Sequence, residues 1–418
     1  MLKYLFVFLF GVSILKAQNL EKARSIIDTL CSQEMFGRGY TKDGHQKAAN
    51  YISNECKSRG LKAFNKSYLQ SFPILVNTFP EEPILIMGKE KMVLGKDYIV
   101  KASSKSCKGK FTRLKVTNQD LSSAEDFGAL IGGKKKNKSA LIIDKRELDS
   151  DKKEAINQLI NYYTGYPLVV VIDTNKLTAS MSQVMGKMTI VHLKVDSDYS
   201  VPKTIGISVS SKLVETRSNN VVAYFEGIQH PDSFVVLSAH YDHLGGYGDS
   251  IYFPGANDNA SGIAMLLELA DEFQKMDSLK YSVVFIAFGG EEVGLIGSKY
   301  FTENPLFPLE SIKVLINTDI LGTGVDGIKM VNATANRHVY DTFINLNEKL
   351  NLLKYIGKRG PAANSDHYFF SLKEVPAVFI YTLGGISAYH DIFDIPSTLP
   401  LTKFLSIKKL LLSYFLTL

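Results

Sequence analysis

The 418-residue sequence contains no tryptophan and only three cysteines. Without indole rings, a binding pocket lined by tryptophan is excluded. Three cysteines are too few for a disulfide-stabilised scaffold, and an odd number leaves at least one thiol without an intramolecular partner. The sequence also lacks an apolar run of the ~20 residues that a helix needs to span a bilayer. We therefore expect no stable membrane anchor.

A strong charge of either sign is also absent. The chain has 48 Lys and Arg residues against 42 Asp and Glu residues, a formal net charge of +6. The densest basic run, residues 134–138, lies between two glycines and a strand-like segment, where a solvated turn explains it better than a nucleic-acid surface. Hydrophobic residues make up 45% and charged residues 22% of the chain, as in globular proteins. We predict a folded protein with no nucleic-acid partner.

The first residues have the pattern of an export signal. Lys3 precedes an apolar run over residues 4–15, and the small residue Ala17 precedes Gln18. This run is too short to cross a bilayer but is typical of a cleavable secretory signal. A buried N-terminal helix is the less favoured alternative. We predict that residues 1–17 are removed and that the protein is exported, to the periplasm or out of the cell.

Two of the cysteines could form a disulfide in an oxidising compartment. Cys31 and Cys56 lie in neighbouring helical stretches near the N-terminus. Their pairing is a hypothesis that the sequence leaves open. None of the three cysteines has the His-rich neighbourhood that would indicate a nucleophile.

Hydrophobic periodicity divides the chain into a main domain and an insert. Residues 19–60 carry two helical patterns joined by a loop with Gly37-Arg38-Gly39, which we interpret as a structural turn. Short strand patterns then surround one helical segment, and beyond them buried strands, polar loops and helices alternate. This indicates an α/β fold with a mixed, mostly parallel sheet flanked by helices, plus a small β-rich domain. The predicted boundaries are 1–17 for the signal, 18–94 and 213–418 for the main domain, and 95–212 for the insert.

Residues of metal-binding type recur in the second half of the chain, each in a loop where a strand pattern ends: His240, Asp258, Glu292, Asp319 and His390. Loops at the carboxyl ends of strands form the binding crevice of an open α/β sheet, so these side chains should converge. Each alone has a commoner explanation, because a single His is usually structural and acidic residues often cap helices or turns. Together they indicate a metal centre.

Two further carboxylates accompany these residues. Glu291 lies beside Glu292 and is available as a base. Asp242 follows His240 by two residues, so in an extended segment its side chain projects to the same side. Its carboxylate could then accept the other imidazole N–H and fix the tautomer of the ligand.

The loop motifs SAHYDHLG, GANDNASG, GGEEVGLIGS, NTDILG, NSDHYFF and YHDIFD, in this order, resemble those of the M28 family of di-zinc metallopeptidases. The resemblance extends through nearly all of residues 19–418. Residues 95–212 stand where relatives carry a protease-associated insert, but they match it poorly. The resemblance implies a zinc-peptidase fold and two Zn²⁺ ions per chain.

The resemblance also implies how the two zinc ions are shared. One ion is assigned to His240 and Asp319, and the other to Glu292 and His390. Asp258 is expected to bridge them.

Other implied features concern the residues beside the ligands. Glu291 is expected to be the general base and acid, and the Asp258–Asn259 peptide is expected to be cis. Tyr389 matches a tyrosine that stabilises the oxyanion in some members, although a tyrosine beside a ligand also commonly packs against it. The chain departs from the commoner family residues at three positions, with Asn257 in place of Asp, Asn364 in place of Arg and Asp391 in place of Thr. Three more residues are expected to line or support the pocket: His243, Asp366 and His367.

The leading functional hypothesis is an aminopeptidase that acts on peptides with a free N-terminus. A carboxypeptidase or dipeptidase of the same family is an alternative, but the loop motifs between residues 237 and 322 contain no arginine to hold a carboxylate. A related glutaminyl cyclase would bind one zinc ion and rely on tryptophans, which this chain lacks. A non-enzymatic binding module is least favoured, because such relatives usually lose ligands or the base.

Overall fold

The structure is a computed structural model that describes residues 20–132, 136–159 and 165–418. The predicted export signal at residues 1–17 lies outside these ranges, as do part of the lysine run and the end of the helical pattern in the insert. Within the described residues, no helix is both long and apolar enough to cross a membrane.

The described helices and strands alternate along the chain. The α-helices are α1 (residues 20–30), α2 (Gly44–Ser58), α3 (Ala124–Gly132), α4 (Ser150–Leu159), α5 (Ser261–Phe273), α6 (Ile296–Glu303), α7 (Arg337–Leu350), α8 (His367–Ser371) and α9 (Phe404–Phe415). The strands are β1 (Leu69–Thr78), β2 (Ile84–Met87), β3 (Glu90–Lys91), β4 (Tyr98–Val100), β5 (Cys107–Lys115), β6 (Ser139–Asp144), β7 (Leu168–Asp173), β8 (Thr189–Lys194), β9 (Thr204–Val209), β10 (Lys212–Phe225), β11 (His230–His240), β12 (Gly246–Tyr247), β13 (Ile251–Tyr252), β14 (Tyr281–Phe288), β15 (Ile312–Thr318), β16 (Gly327–Val331), β17 (Ile356–Lys358) and β18 (Ala377–Leu383).

The main domain is built on an eight-stranded mixed sheet with the order β1-β10-β14-β11-β15-β18-β16-β17. Its four central strands, β14, β11, β15 and β18, are parallel to one another, whereas β1, β10 and β16 introduce antiparallel pairs. The parallel strands are the continuous apolar runs of the sequence, as expected of strands covered on both faces. The predicted α/β fold with a mixed sheet is confirmed.

Helices cover both faces of this sheet. On one face, Val235 and Leu237 of β11 belong to a core that includes residues of α1, α2, α5, α7 and α9. On the other face, Val236 packs in a cluster with Phe301 of α6 and Phe370 of α8. Burial of each such side chain contributes ~1.5–3 kcal/mol. The two cores make the central sheet a rigid base for the loops at its edge.

The insert is a second eight-stranded sheet with the order β3-β2-β9-β5-β6-β7-β8-β4. It has its own core on each face, with Ile142 in one cluster and Leu141 in the other. The predicted start at residue 95 differs from this arrangement, because β2 pairs with β9 and β3 pairs with β2. These strands are too short and too similar to their surroundings to mark the boundary by composition. The chain leaves this sheet after Val209, close to the predicted end at 212.

The cysteines do not form the hypothesised disulfide. Cys31, Cys56 and Cys107 are all free and buried. Burial raises the pKa of the Cys31 and Cys56 thiols to about 12. Both therefore pack in the core as small apolar side chains.

Candidate metal centre

The loops at the carboxyl ends of the central parallel strands meet at one edge of the main sheet. His240 is the last residue of β11, and Asp319 directly follows β15. Glu291 and Glu292 come after the two glycines that follow β14. Because these three strands are parallel neighbours, their ends deliver the four side chains to the same place.

His240 forms the first half of the centre together with two carboxylates. Its Nε2 atom lies 3.3 Å from Asp258 Oδ1 and 3.3 Å from Asp319 Oδ1. Its Nδ1–H donates to the backbone carbonyl of Asp242, 3.1 Å away, which leaves Nε2 to face the carboxylates. All three grouped side chains are buried.

His390 forms the second half in the same way. Its Nε2 atom lies 3.1 Å from Asp258 Oδ2 and 3.2 Å from Glu292 Oε2. The two oxygens of Asp258 therefore face the two imidazoles, as a bridging carboxylate requires. The Asp258–Asn259 peptide is cis, as the family resemblance implies.

Two residues that were not predicted to belong to the site hold the Asp258 loop. The carboxylate of Asp394 accepts the backbone N–H groups of Asn257 at 2.9 Å and Asp258 at 3.0 Å. Arg38 is completely buried and donates to five backbone carbonyls: those of Leu30, Tyr241, Pro254, Gly255 and Asp258. The turn with Gly37-Arg38-Gly39 is therefore structural, as interpreted, and its arginine fastens the loops after β11 and before α5.

Asp242 is not placed as the sequence analysis expected. Its Oδ1 is 3.9 Å from His240 Nδ1, too far for a hydrogen bond. The partner of His240 Nδ1 is the backbone carbonyl of Asp242 and not its carboxylate. Instead, the Asp242 carboxylate accepts the backbone N–H of Glu291 at 3.1 Å and of Glu292 at 3.4 Å. Asp242 thus fixes the loop that carries the candidate base and ligand.

Glu291 lies in the cleft beside both halves of the centre. In the described part of the chain, its carboxylate accepts no hydrogen bond. Burial raises the pKa of Glu291 well above its usual range, and the nearby Glu292 and Asp366 carboxylates add to the shift. A carboxyl group without a fixed partner, beside a cluster of ligand-type residues, is suited to proton transfer.

His243 lies closer to the centre than a pocket-wall residue would. Its Nδ1–H donates to Glu292 Oε1 at 2.6 Å, so it holds the oxygen that does not face His390. Its Nε2 atom is buried and has no hydrogen-bond partner among the described residues. In the sequence, the only sign of this contact with Glu292 was that His243 is the second histidine of the HYDH motif.

The remaining expected pocket residues divide into two groups. Tyr389 and Asn364 line the cleft, and the Tyr389 ring stacks on His390 with ring centroids 4.0 Å apart. Burial raises the pKa of the Tyr389 phenol. Asp366 and His367 are buried behind the cleft wall, and His367 packs against Phe379. Tyr389 remains a candidate for oxyanion stabilisation, since it both packs on a ligand and faces the cleft.

The cleft has a volume of about 420 Å³, within the range of small-molecule and peptide-end sites. None of the described residues that line it is lysine or arginine. Leu295, Ile320, Phe379 and Tyr381 supply apolar and aromatic walls opposite the acidic and imidazole groups.

The residues of the centre fit zinc. The ligand atoms of His240, Asp258 and Asp319 lie within 4.8 Å of one another, and so do those of His243, Asp258 and Glu292. Asp319 Oδ1 is buried and accepts no hydrogen bond within the described chain. Imidazole nitrogens and carboxylate oxygens are typical zinc ligands. Such a cluster of buried carboxylates requires cations to balance it.

The balance of charge explains the protonation of the two imidazoles. Burial works against a charged ring, but Asp319 and Glu291 raise the pKa of His240 well above its usual value. Glu292 and Asp258 likewise raise the pKa of His390 to about 11. Both shifts favour the charged ring in the metal-free protein, whereas a zinc ion binds the neutral ring.

Comparisons with known proteins agree with this centre. Residues 220–415 match peptidase family M28. Aminopeptidase YwaD of Bacillus subtilis strain 168 is 39% identical over 99 residues, which cover 23% of this chain and 20% of that protein. A probable zinc metalloprotease of Pyricularia oryzae is 38% identical over 117 residues, 27% of this chain and 23% of that protein. The chain thus aligns with about a fifth to a quarter of the length of these relatives.

Solved structures are similar over most of the chain. An aminopeptidase from Aneurinibacillus sp. strain AM-1 has 22% sequence identity and a TM-score of 0.63, with 94% of this chain and 92% of that chain covered. BSAP, a zinc aminopeptidase from Bacillus subtilis, has 18% identity and a TM-score of 0.68, with 94% and 93% covered. These likenesses support the fold of both domains. The match to peptidase family M28 covers residues 220–415, which carry all the candidate ligands of the centre.

Proposed function

We propose that the chain is a di-zinc aminopeptidase that releases the first residue of peptides with a free N-terminus. The observation that carries the proposal is the position of Asp258, whose two carboxylate oxygens face His240 on one side and His390 on the other. His240 and Asp319 would hold one zinc ion, and Glu292 and His390 the other. When bound, the zinc ions would act as Lewis acids on the scissile carbonyl and increase the acidity of water.

In this proposal, Glu291 moves the protons of the reaction. It accepts a proton from the attacking water and transfers it to the leaving amine. Its raised pKa in the metal-free protein is compatible with this role, because nearby cations favour the ionised carboxylate. The Tyr389 hydroxyl would donate a hydrogen bond to the oxygen on which negative charge develops.

The cleft favours a substrate with a free amino group. Its described lining contains Glu291 and Asp319, which could hold an ammonium group, but no lysine or arginine to hold a carboxylate. This difference favours an aminopeptidase over a carboxypeptidase. Asn364 stands in the wall where some relatives have arginine, so amine recognition would rest on the acidic residues.

The test combines metal counting with three kinds of substrate. Zinc per chain is measured for the wild type, for Glu291→Gln and for the exposed control Glu310→Gln. Each protein is assayed with aminoacyl amides, N-blocked peptides and peptides that begin with glutamine. We expect two zinc ions in all three proteins and a loss of ~10²–10⁴-fold in kcat for Glu291→Gln alone. One zinc ion with pyroglutamate formation, or activity only on blocked peptides, would overturn the proposal.

We also propose that the protein is exported after removal of residues 1–17. The charged residue, apolar run and small residues at the start of the sequence support this. N-terminal sequencing of the protein recovered from cell fractions would test it. A cytoplasmic protein that retains its first residues would contradict it.

A further inference from the structure

An irregular segment of the inserted domain contacts the loops that carry part of the metal centre. This segment, residues 176–183, lies between β7 and β8 and is named here the clamp segment. Besides its contacts with β1 and with the core of the insert, it forms hydrogen bonds to the loops of His390 and Glu292, which form the second half of the centre. No described hydrogen bond joins it to His240, Asp258 or Asp319.

Ala179 of the clamp segment holds His390 by two hydrogen bonds. The backbone N–H of Ala179 donates to the backbone carbonyl of His390 at 2.9 Å. The His390 Nδ1–H donates to the carbonyl of Ala179 at 3.0 Å. The second bond fixes the tautomer and directs Nε2 towards Asp258 and Glu292. His390 has a φ of +51°, a conformation that a non-glycine residue keeps only when its surroundings hold it.

Lys176 ties together the chain on both sides of His390. Its Nζ atom lies 2.6 Å from the carbonyl oxygen of Ser387, 2.9 Å from that of Tyr389 and 2.7 Å from Asp391 Oδ2. The Asp391 side chain is only 7% exposed, and its other oxygen accepts the backbone N–H of Phe393 at 2.9 Å. Asp391 stands where the family commonly has threonine, and its partner in this chain is a lysine of the insert.

The Glu292 loop is held from the same segment. Gln183 donates from Nε2 to the carbonyl of Val293 at 2.8 Å, one residue beyond Glu292. Met181 packs against the buried cluster that contains Val293. Both loops of the second half are therefore supported by the insert.

We propose that the clamp segment is part of the active site and that Lys176 is a positioning residue for Tyr389 and His390. The inference rests on the proposed peptidase function. Lys176 acts through the loop and does not touch the reacting atoms. Its side chain is 40% exposed, so its ion pair adds little to folding stability. A displacement of a catalytic group by ~1 Å, in contrast, can cost up to ~10²-fold in rate.

The experiment compares Lys176→Met, the conservative Lys176→Arg and Lys108→Met, an exposed lysine on β5 of the same domain. kcat, KM and Tm are measured, together with the rate at which a chelator removes each zinc ion. For Lys176→Met we expect kcat to fall ~10-fold or more with a smaller change in KM. We also expect one of two zinc ions to leave ~10–100-fold faster. Lys176→Arg should recover most of both properties, and Tm should stay near that of the wild type in all variants.

The outcomes separate this proposal from the proposed function. If the wild type is an inactive zinc protein, the aminopeptidase proposal fails, whereas selective loss of one zinc ion from Lys176→Met still supports the clamp. If the wild type is a Glu291-dependent aminopeptidase and Lys176→Met matches Lys108→Met in kcat and zinc release, the clamp proposal is overturned. A fall in Tm that accounts for the lost activity would also overturn it, because Lys176 would then be merely structural.

Discussion

The two halves of the metal centre are built in different ways. His240 ends strand β11 and Asp319 follows β15, so the central sheet itself places the first half. Glu292 and His390 lie in loops, and their positions depend on bonds to the insert more than one hundred residues earlier in the chain. The first half is placed by the ends of neighbouring strands and by contacts within the main domain, whereas the second half also depends on hydrogen bonds to the insert. We therefore expect the two zinc sites to respond differently to perturbation.

Removal of one imidazole from each half should have the largest effect. His240→Ala and His390→Ala are each expected to retain one zinc ion, held through Asp258. Each should lose at least ~10²-fold in kcat/KM, because a Lewis acid contributes several kcal/mol to catalysis. Metal analysis and steady-state kinetics measure both properties.

The exposed His338 on α7 provides the control, since His338→Ala should keep both zinc ions and full activity. Asp258→Ala should lose both ions. If either single imidazole variant bound no zinc at all, the two halves would not be separable and the comparison would be wrong.

Arg38→Met should be the next largest perturbation, acting on the first half and the bridge. It leaves five buried backbone carbonyls without their donor. We expect the free energy of unfolding to fall by about 3–5 kcal/mol, as for other broken buried charge networks. Urea unfolding measures this change, with the exposed Arg337→Met as the control. A similar free energy of unfolding in both variants would contradict the role of Arg38 in holding the loops after β11 and before α5.

The zinc affinity of both halves should depend on pH. The pKa values of His240 and His390 are raised in the folded, metal-free protein, that of His390 to about 11. The stability that these charged rings provide is fully present below the unfolded pKa of ~6.5, and it is lost as the pH rises through the folded pKa values. Zinc needs the neutral rings, so its affinity should rise with pH by up to ~tenfold per pH unit for each proton released.

Calorimetric titration in buffers with different ionisation enthalpies would count these protons. We expect proton release at pH 7 in the wild type and less in His240→Ala and in His390→Ala. Zinc binding with no proton release in the wild type would contradict the protonated state of the rings.

Ser365→Ala should give the smallest effect, confined to the first half. The Ser365 hydroxyl donates to Asp319 Oδ2 at 3.3 Å and accepts the Asn317 side-chain amide at 2.8 Å. Its loss should weaken one zinc site ~10-fold and leave the other unchanged. Competition with chelators measures both affinities, and Ser371→Ala on α8 is the control. Equal weakening of the two sites would show that they are more strongly coupled than the geometry indicates.

What could be predicted from the sequence depends on whether the strand order or a long-range contact places a residue. The parallel order of the central strands is readable from their apolar runs, so the meeting of His240, Glu292 and Asp319 was predictable. The expected bond from the Asp242 carboxylate to the His240 ring was wrong, because that carboxylate accepts the backbone N–H groups of Glu291 and Glu292 instead. Contacts such as those of Arg38 with Tyr241 and of Lys176 with Asp391 were not predictable, because no local pattern brings such distant residues together.

The pairing of β1 with β10 has a consequence for how this protein could have been assembled. Thr78, the last residue before the insert, is the cross-strand neighbour of Lys212, the first residue after it. A turn of two to four residues could in principle close this hairpin. The insert is thus topologically an elongated hairpin loop, and a chain shortened at this point would keep the order of the main sheet. Such a shortened chain would keep the candidate ligands at the strand ends but would lose the hydrogen bonds that the insert makes to His390.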